Sequence, residues 1–309
     1  MIAYLAQRLA LMLATLFAII TLTFFLMHAV PGGPFVSDKM MAPEIAAAIN
    51  AKFHLDEPLW QQYLAYLGGV FTFDLGPSFK YPGMSVNQMI ASGLPTTAKV
   101  GLLALLSVIA LGVPLGVVAA LNRNRWPDTA VMAIATIGVA IPSYVIATLA
   151  LYVFAMRLKL VPTFGIDDWR GYFLPVFALS GFWLSYVARL TRSSLIETML
   201  TDYMTTARAK GLRPGQILFK HGLRNSLIPL VTVIGPVAAN LLTGSFVIEQ
   251  IFALPGIGRH FVLAITNRDY TAIMGITIFY AVVLMVMILL VDLAYLALDP
   301  RIKFGARHP

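Results

Sequence analysis

Residues Lys99–Leu121 read KVGLLALLSVIALGVPLGVVAAL, and after the opening lysine no charged side chain occurs in the stretch. At about 1.5 Å per helical residue it reaches across a hydrocarbon layer of about 30 Å. In that medium only a helix or a closed barrel satisfies every backbone amide, and the period-two alternation of a barrel strand is missing. A membrane helix is therefore expected. Outward from it, five further stretches share this character: approximately Leu9–Val30, Ala130–Met156, Gly171–Leu190, Ser226–Ile248 and Thr271–Leu298. The expected fold is an all-α polytopic membrane protein with six transmembrane helices.

The composition of the whole chain agrees. Of 309 residues 59% are hydrophobic and 12% charged, and the mean hydropathy is +0.81. Such a chain has too little polar surface to cover a water-soluble globule and is too apolar to stay disordered. With no cysteine, disulfides, thiolate metal clusters and cysteine nucleophiles are excluded. The net charge of +8 would suit a nucleic-acid partner if the basic residues formed one patch, but they are sorted by side of the membrane. With the N-terminus inside, the inner segments hold 13 basic residues against 4 acidic ones (Asp128, Glu197, Asp202 and Asp299), while the outer segments hold 9 of each. Both termini are expected in the cytoplasm. The apolar run after Arg8 is too long for a secretory signal, and Pro31-Gly32-Gly33-Pro34 offers no clear cleavage site, so the first span reads as an uncleaved anchor.

Between spans one and two, Pro31–Ala98 has a pattern of its own. Pro43 suits the first turn of a helix through Glu44–Lys52, and Trp60–Phe71 alternates aromatic and polar residues at near-helical spacing. A small amphipathic subdomain on the outer surface is expected, either a docking or gating surface or a packed cap. On the inner side, the loop Thr191–Asn225 is long and basic. Ser194 and Glu197 have the spacing of a capping box, Asp202 can cap a helix through Ala207, Arg208, Ala209 and Lys210, Gly211 can end it, and Pro214 can open another from Gln216 to Leu223. The reading is helix, glycine turn, helix. Such an elbow either engages a partner protein or lies on anionic headgroups.

Asp292 stands out as the acidic residue deep in a span, about 10 Å from its inner boundary at about 1.5 Å per residue, where it can face water or an inner arginine. Asn240 and His28 suit interhelical hydrogen bonds. Pro114, Pro142 and Gly235-Pro236 are expected to interrupt spans two, three and five. The phosphate loop G-x-x-x-x-G-K-[ST], the zinc pair H-E-x-x-H and the G-x-S-x-G elbow are all missing from the sequence. No catalytic, metal-binding or cofactor-binding residue is expected, and the energy for any active transport must come from other subunits or from an ion gradient.

The inner elbow also carries a resemblance. Thr205-Thr206-Ala207-x-x-x-Gly211, followed by His221-Gly222-Leu223-Arg224 and Pro229, resembles the E-A-A-x3-G-x9-I-x-L-P loop of ABC importer permeases. Tyr203–Leu212 takes the form seen in the dipeptide, oligopeptide and nickel permease branch, with Thr205 and Thr206 in place of the acidic and first alanine positions and with a departure in the I-x-L-P segment. Further similar stretches are Phe73–Ser78, Leu94–Thr97, Gly244–Glu249, Leu254–Gly258, Asn267–Tyr270 and Asp299–Ile302. Gly76–Tyr81 and Ala51–Leu55 resemble the B-type subunits of bacterial oligopeptide importers.

The resemblance implies a type I importer permease fold, divided into an anchor helix (1–30), an outer subdomain (31–96) and a five-helix core (97–309) containing the coupling loop (191–225). It implies a multi-pass subunit of the bacterial cytoplasmic membrane whose partners are a C-type permease, two ATPase subunits and a soluble periplasmic peptide-binding protein. ATP and magnesium would be bound by the ATPase subunits and not by this chain. Asp202, Tyr203, Thr205, Thr206, Ala207, Arg208, Lys210, Gly211 and Leu212 would form the coupling helix and its turn, while Leu254, Pro255, Gly256 and Gly258 would lie at an outer gate or binding-protein dock. Oligopeptides are the expected cargo, with dipeptides, nickel or opines as alternatives in the same family. An ion-coupled carrier using Asp292, or a scaffold with no pathway, are the alternatives from other classes.

Overall fold

A computed structural model of the chain describes residues 2–31, 33, 53 and 55–298. The helix expected over Glu44–Lys52, the likeness at Ala51, Lys52 and His54, and the Asp299–Ile302 stretch lie outside these residues. The elements are α1 (Ile2–Ala29), α2 (Leu59–Phe71), α3 (Val86–Leu121), α4 (Trp126–Ala140) and α5 (Ser143–Ala150, continued as a π-helix over Leu151–Arg157). They are followed by α6 (Phe173–Met199) and α7 (Asp202–Ala209). Next comes α8, built from Pro214–Gln216, a π-helical Ile217–Leu223 and Arg224–Ser226. The last four are α9 (Ile228–Leu242), α10 (Phe246–Ile251), α11 (Ile257–Asn267) and α12 (Tyr270–Leu298). Among the described residues the only strand-like pairing is an isolated bridge between Pro77 and Ser85.

Among the described residues five helical stretches are long and apolar enough to cross a membrane: Ala6–Ala29, Val86–Leu121, Trp169–Met199, Ile228–Ile251 and Tyr270–Leu290. A sixth span exists if α4 and α5 are one crossing, and these two are bent by 103°. The interruption expected at Pro142 within Ala130–Met156 is present, and it makes the span a broken pair. Its cause is local: Pro142 has no N–H to give, and its ring forces the preceding Ile141 to an extended backbone (φ −91°, ψ 124°). Pro114 and Pro236, also expected to interrupt their spans, lie inside unbroken α3 and α9. One forfeited hydrogen bond is tolerated in a packed membrane helix. The break in the fifth stretch falls instead at Gly244, whose φ of +76° separates α9 from α10.

The fourth span also runs further than expected. Its buried residues Val187, Ala188, Thr191, Ser194 and Leu195 keep helical spacing, so packing carries α6 to Met199. Ser194 is therefore inside the helix rather than capping a new one, and its hydroxyl donates to the Ser226 carbonyl at 2.8 Å. The expected Ser194–Glu197 capping box is not made.

The described residues group into two compact units, one drawn from 2–96 and 255–286, the other from 97–254 and 287–298. In the first, Val86, Met89 and Ile90 pack with Ile257, Ala264, Ala272 and Ile276, and Phe24 packs with Tyr270, Met274, Tyr63, Tyr66 and Phe79. No residue of α2 is fully buried: Tyr63 meets Thr21 of α1 (Oη to Oγ1, 2.8 Å), whereas Trp60, Leu64 and Phe71 stay exposed. In the second unit Ala104 and Val108 of α3 pack with Val187 of α6 and with Leu230, Val237 and Leu241 of α9. The helices there approach through glycine. A Cβ at Gly116 would lie 2.5 Å from the Ala188 carbonyl oxygen and 2.6 Å from Thr191 Cβ. This close backbone approach is typical of helices associating in lipid.

Candidate functional site

The elbow 202–226 is organised by two small sets of contacts. Helix α7 buries Met204 and Ala207, three positions apart, against Ile217, with Met199 and Leu212 packed alongside. Everything else on α7 is exposed: Asp202, Tyr203, Thr205, Thr206, Arg208 and Ala209. At its C-terminus Lys210 is the cap, and Gly211 (φ +73°) donates to the Arg208 carbonyl at 3.0 Å while Leu212 donates to that of Ala207 at 3.4 Å. These two bonds, with Leu212 in the small apolar cluster, make a Schellman termination, which needs a left-handed residue at the position Gly211 holds. Asp202 lies in the first turn, where a carboxylate suits the helix dipole. The cap itself is Thr201, without a side-chain bond, so the capping role expected of Asp202 is corrected.

The elbow is tied to its support at several points. Asn225 donates to the Tyr203 hydroxyl at 3.0 Å, joining α7 to the end of α8. Arg208 donates to the Met199 carbonyl at 3.3 Å, covering the C-terminus of α6, and the Thr206 hydroxyl donates to the Asp202 carbonyl at 3.1 Å. Deeper in α6, Arg192 makes a two-pronged ion pair with Asp128 of α4 (Nε to Oδ1 2.5 Å, Nη2 to Oδ2 2.7 Å). Asp128 is buried and also accepts from the Asn124 amide at 2.9 Å. Sequence reading placed these two charges on one side but had no means to pair residues 64 positions apart. A short helix is thus fixed to its bundle at both ends, and the elbow as a whole exposes Arg208, Lys210, Arg213, Lys220 and Arg224 against Asp202. Such a part can be seized and moved as a rigid body.

The motifs at other positions form buried junctions. Asp269, fully buried, precedes α12 and accepts from the Ala272 amide (3.2 Å), the Thr271 hydroxyl (3.0 Å), the Phe79 amide (3.1 Å) and the Ser78 hydroxyl. It therefore caps one helix while holding the Phe73–Ser78 stretch from far along the chain. Burial holds the Lys80 ammonium nearby below its ordinary range, partly offset by Asp269. Glu249 of α10 is also buried and accepts from the Thr97 hydroxyl at 2.8 Å. Gly244 lets this pair form, because a Cβ there would meet Thr97 Cγ2 at 2.6 Å and Glu249 Oε1 at 2.8 Å. Glu249 lies within the stretch Ile228–Ile251, which corrects the expectation that Asp292 is the sole deep carboxylate. The signal was its place directly after an apolar run.

Of the outer-gate residues, Leu254 is buried and donates to the Glu249 carbonyl at 2.9 Å. Gly256 caps α11, Gly258 is buried and Pro255 is exposed. Asp292 sits partly exposed inside α12. Asn240 is exposed on α9 and does not make the expected interhelical bond, because its side chain points away from the buried face that Val237, Ala238 and Leu241 occupy. His28 does link α1 to α2 through Gln62 Oε1 at 3.3 Å.

Apolar helices of membrane length, with a basic elbow between two of them, define a multi-pass membrane component. The chain belongs to the family described as binding-protein-dependent transport system inner membrane component, whose profile matches residues 112–304, with the N-terminal profile of the same systems on residues 1–100. Among similar proteins, the dipeptide transport system permease protein DppB of Bacillus subtilis is 47% identical over 303 residues, 98% of either chain. The oligopeptide transport system permease protein OppB of Haemophilus influenzae is 41% identical, covering 98% of this chain and 100% of its own. Among solved structures, the inward-facing MetNI methionine ABC transporter matches with a TM-score of 0.59 at 19% identity, covering 70% of this chain and 100% of that one. An amino acid ABC transporter with histidines matches at 0.55 and 17% identity, covering 67% and 93%. These two likenesses carry the fold, that of an ABC importer permease.

Proposed function

We propose that this chain is the B-type permease of a peptide importer, forming the pathway with a C-type permease and receiving cargo from a soluble peptide-binding protein. The anchor (1–30), outer subdomain (31–96) and core (97–309) are its parts, and both termini lie in the cytoplasm, as the inner excess of Lys and Arg favours. Two ATPase subunits hold ATP and magnesium, and one of them grips Asp202–Leu212. The single observation that carries this reading is the elbow itself: a helix locked by Met204, Ala207 and a Schellman turn, with its polar face uncovered. Leu254–Gly258 belongs to the outer gate or the binding-protein dock. Membership in a binding-protein-dependent system leaves the ion-coupled carrier without support.

Oligopeptides are the cargo in this proposal. A dipeptide system is the second reading, favoured by the 47% identity to a dipeptide permease. Reconstitution in proteoliposomes tests the proposal. Uptake of a labelled peptide is expected only when the partner permease, both ATPases and the binding protein are present, and uptake that persists without the ATPases overturns it.

A further inference from the structure

Within the second unit a half-open cavity of about 500 Å³ is walled by Lys99, Leu103 and Ser107 of α3 and by the segment 166–176 with Asp167, Trp169 and Tyr172. Its size falls in the range of sites that enclose a small organic molecule. Its charges set it apart from the lipid-facing surface. Lys99 is exposed at the head of the apolar run, its ammonium resting 4.3 Å from the centre of the Tyr172 ring. Asp167, also exposed, belongs to the 166–176 part of the lining. The neighbouring Asp168 and Arg170 pair with each other at 2.6 Å, whereas neither Lys99 nor Asp167 has an ion-pair partner among the described residues, and they do not pair with each other. An ammonium and a carboxylate left apart in one cavity, beside exposed aromatic rings, match a molecule with a carboxylate at one end and an ammonium at the other.

We propose that this cavity is a subsite for a short zwitterionic peptide, with Lys99 receiving the C-terminal carboxylate and Asp167 the N-terminal ammonium. The proposal rests on the peptide-importer reading above. Tyr172 holds the lysine head in place, and Ser107 supplies a hydroxyl to the peptide backbone between the charged ends.

The test uses the reconstituted complex with all its partners and trialanine as probe. K99Q is expected to raise the KM for trialanine uptake about tenfold with the maximal rate kept within about twofold, and K99R to restore it. In the wild-type complex, with the binding protein omitted, carbodiimide is expected to activate the carboxylate of trialanine, and the Lys99 amine then displaces the urea to leave an amide bond, whereas N-acetyltrialanine, which keeps the carboxylate but lacks the ammonium assigned to Asp167, gives much less adduct. Unchanged uptake kinetics in K99Q, or an adduct at Lys99 that forms equally with N-acetyltrialanine, overturns the subsite while leaving the importer reading intact. A wild-type complex that imports no peptide overturns both.

Discussion

Asp269 and Asp202 both stand at helix starts, and their settings could hardly differ more. Asp269 is sealed from solvent and collects four hydrogen bonds, two from residues about 190 positions earlier in the sequence. Asp202, in the first turn of α7, is exposed and its carboxylate accepts nothing within the elbow. The first junction is complete in itself, so any change to it is felt as stability. On the coupling role proposed above, the second is completed by a partner subunit, so changes there should be felt as function.

The largest expected effect breaks the closed side of this comparison. Asp269→Ala removes the acceptor for two amides and two hydroxyls at once. Each buried donor left unpaired costs about 1–3 kcal/mol, and partial relaxation brings the expected loss to about 3–5 kcal/mol. The purified complex should show a much lower thermal midpoint and poor yield. Asp269→Asn, which keeps one oxygen for Phe79, Thr271 and Ala272, should cost only about 1–2 kcal/mol. If the two variants behave alike, the hydrogen bonds are not what matters at this position.

The open side gives the next effect. Gly211 has φ +73° and no heavy atom within 4 Å of where a Cβ would stand, so substitution there is a test of backbone conformation alone. Gly211→Val should strain the turn by roughly 1–2 kcal/mol and misplace α7. Transport and substrate-stimulated ATP hydrolysis should fall together while membrane insertion and the thermal midpoint of the complex change little. Gly211→Asn, whose side chain tolerates the left-handed region, should recover most of the coupling. Coupling that survives Gly211→Val would show that the elbow is not the handle.

The same contrast explains how much could be read in advance. The apolar stretches and the turn at Gly211 are written locally, because hydropathy and the glycine and proline positions act over a few residues. Asp269 before an apolar run carries a local sign of its own, that of an N-cap, yet nothing nearby announces Ser78 as its partner. Asp128 with Arg192, and Glu249 with Thr97, are likewise meetings across the fold. Pro114, Pro142 and Pro236 show the limit most plainly. The residue type is identical, but only at Pro142 does the preceding residue leave the helical region, and the local sequence does not mark out that proline from the other two. Ser194 has a cap's spacing and becomes a helix-interior residue because the apolar face of α6 continues past it.

The smallest expected effect refines the closed side, through α11, which leads directly into Asp269. His260 on that helix is half-buried, and its burial, with Arg259 beside it, pushes the imidazole pKa below the ordinary 6.5. The sign follows from proton uptake. Above about pH 6.5 both folded and unfolded chains carry the neutral ring, and the contribution to stability is fully present. As the pH falls below that value, the unfolded chain takes up the proton before the folded one does, so stability is lost until the folded ring protonates as well. The thermal midpoint of the purified complex should therefore fall more steeply between about pH 7.5 and 5.5 for the wild type than for His260→Gln. Gly211→Val should keep the wild-type slope, because the acid sensitivity assigned to His260 belongs to the closed region and not to the elbow. Equal slopes for the wild type and His260→Gln would remove α11 from any part in it.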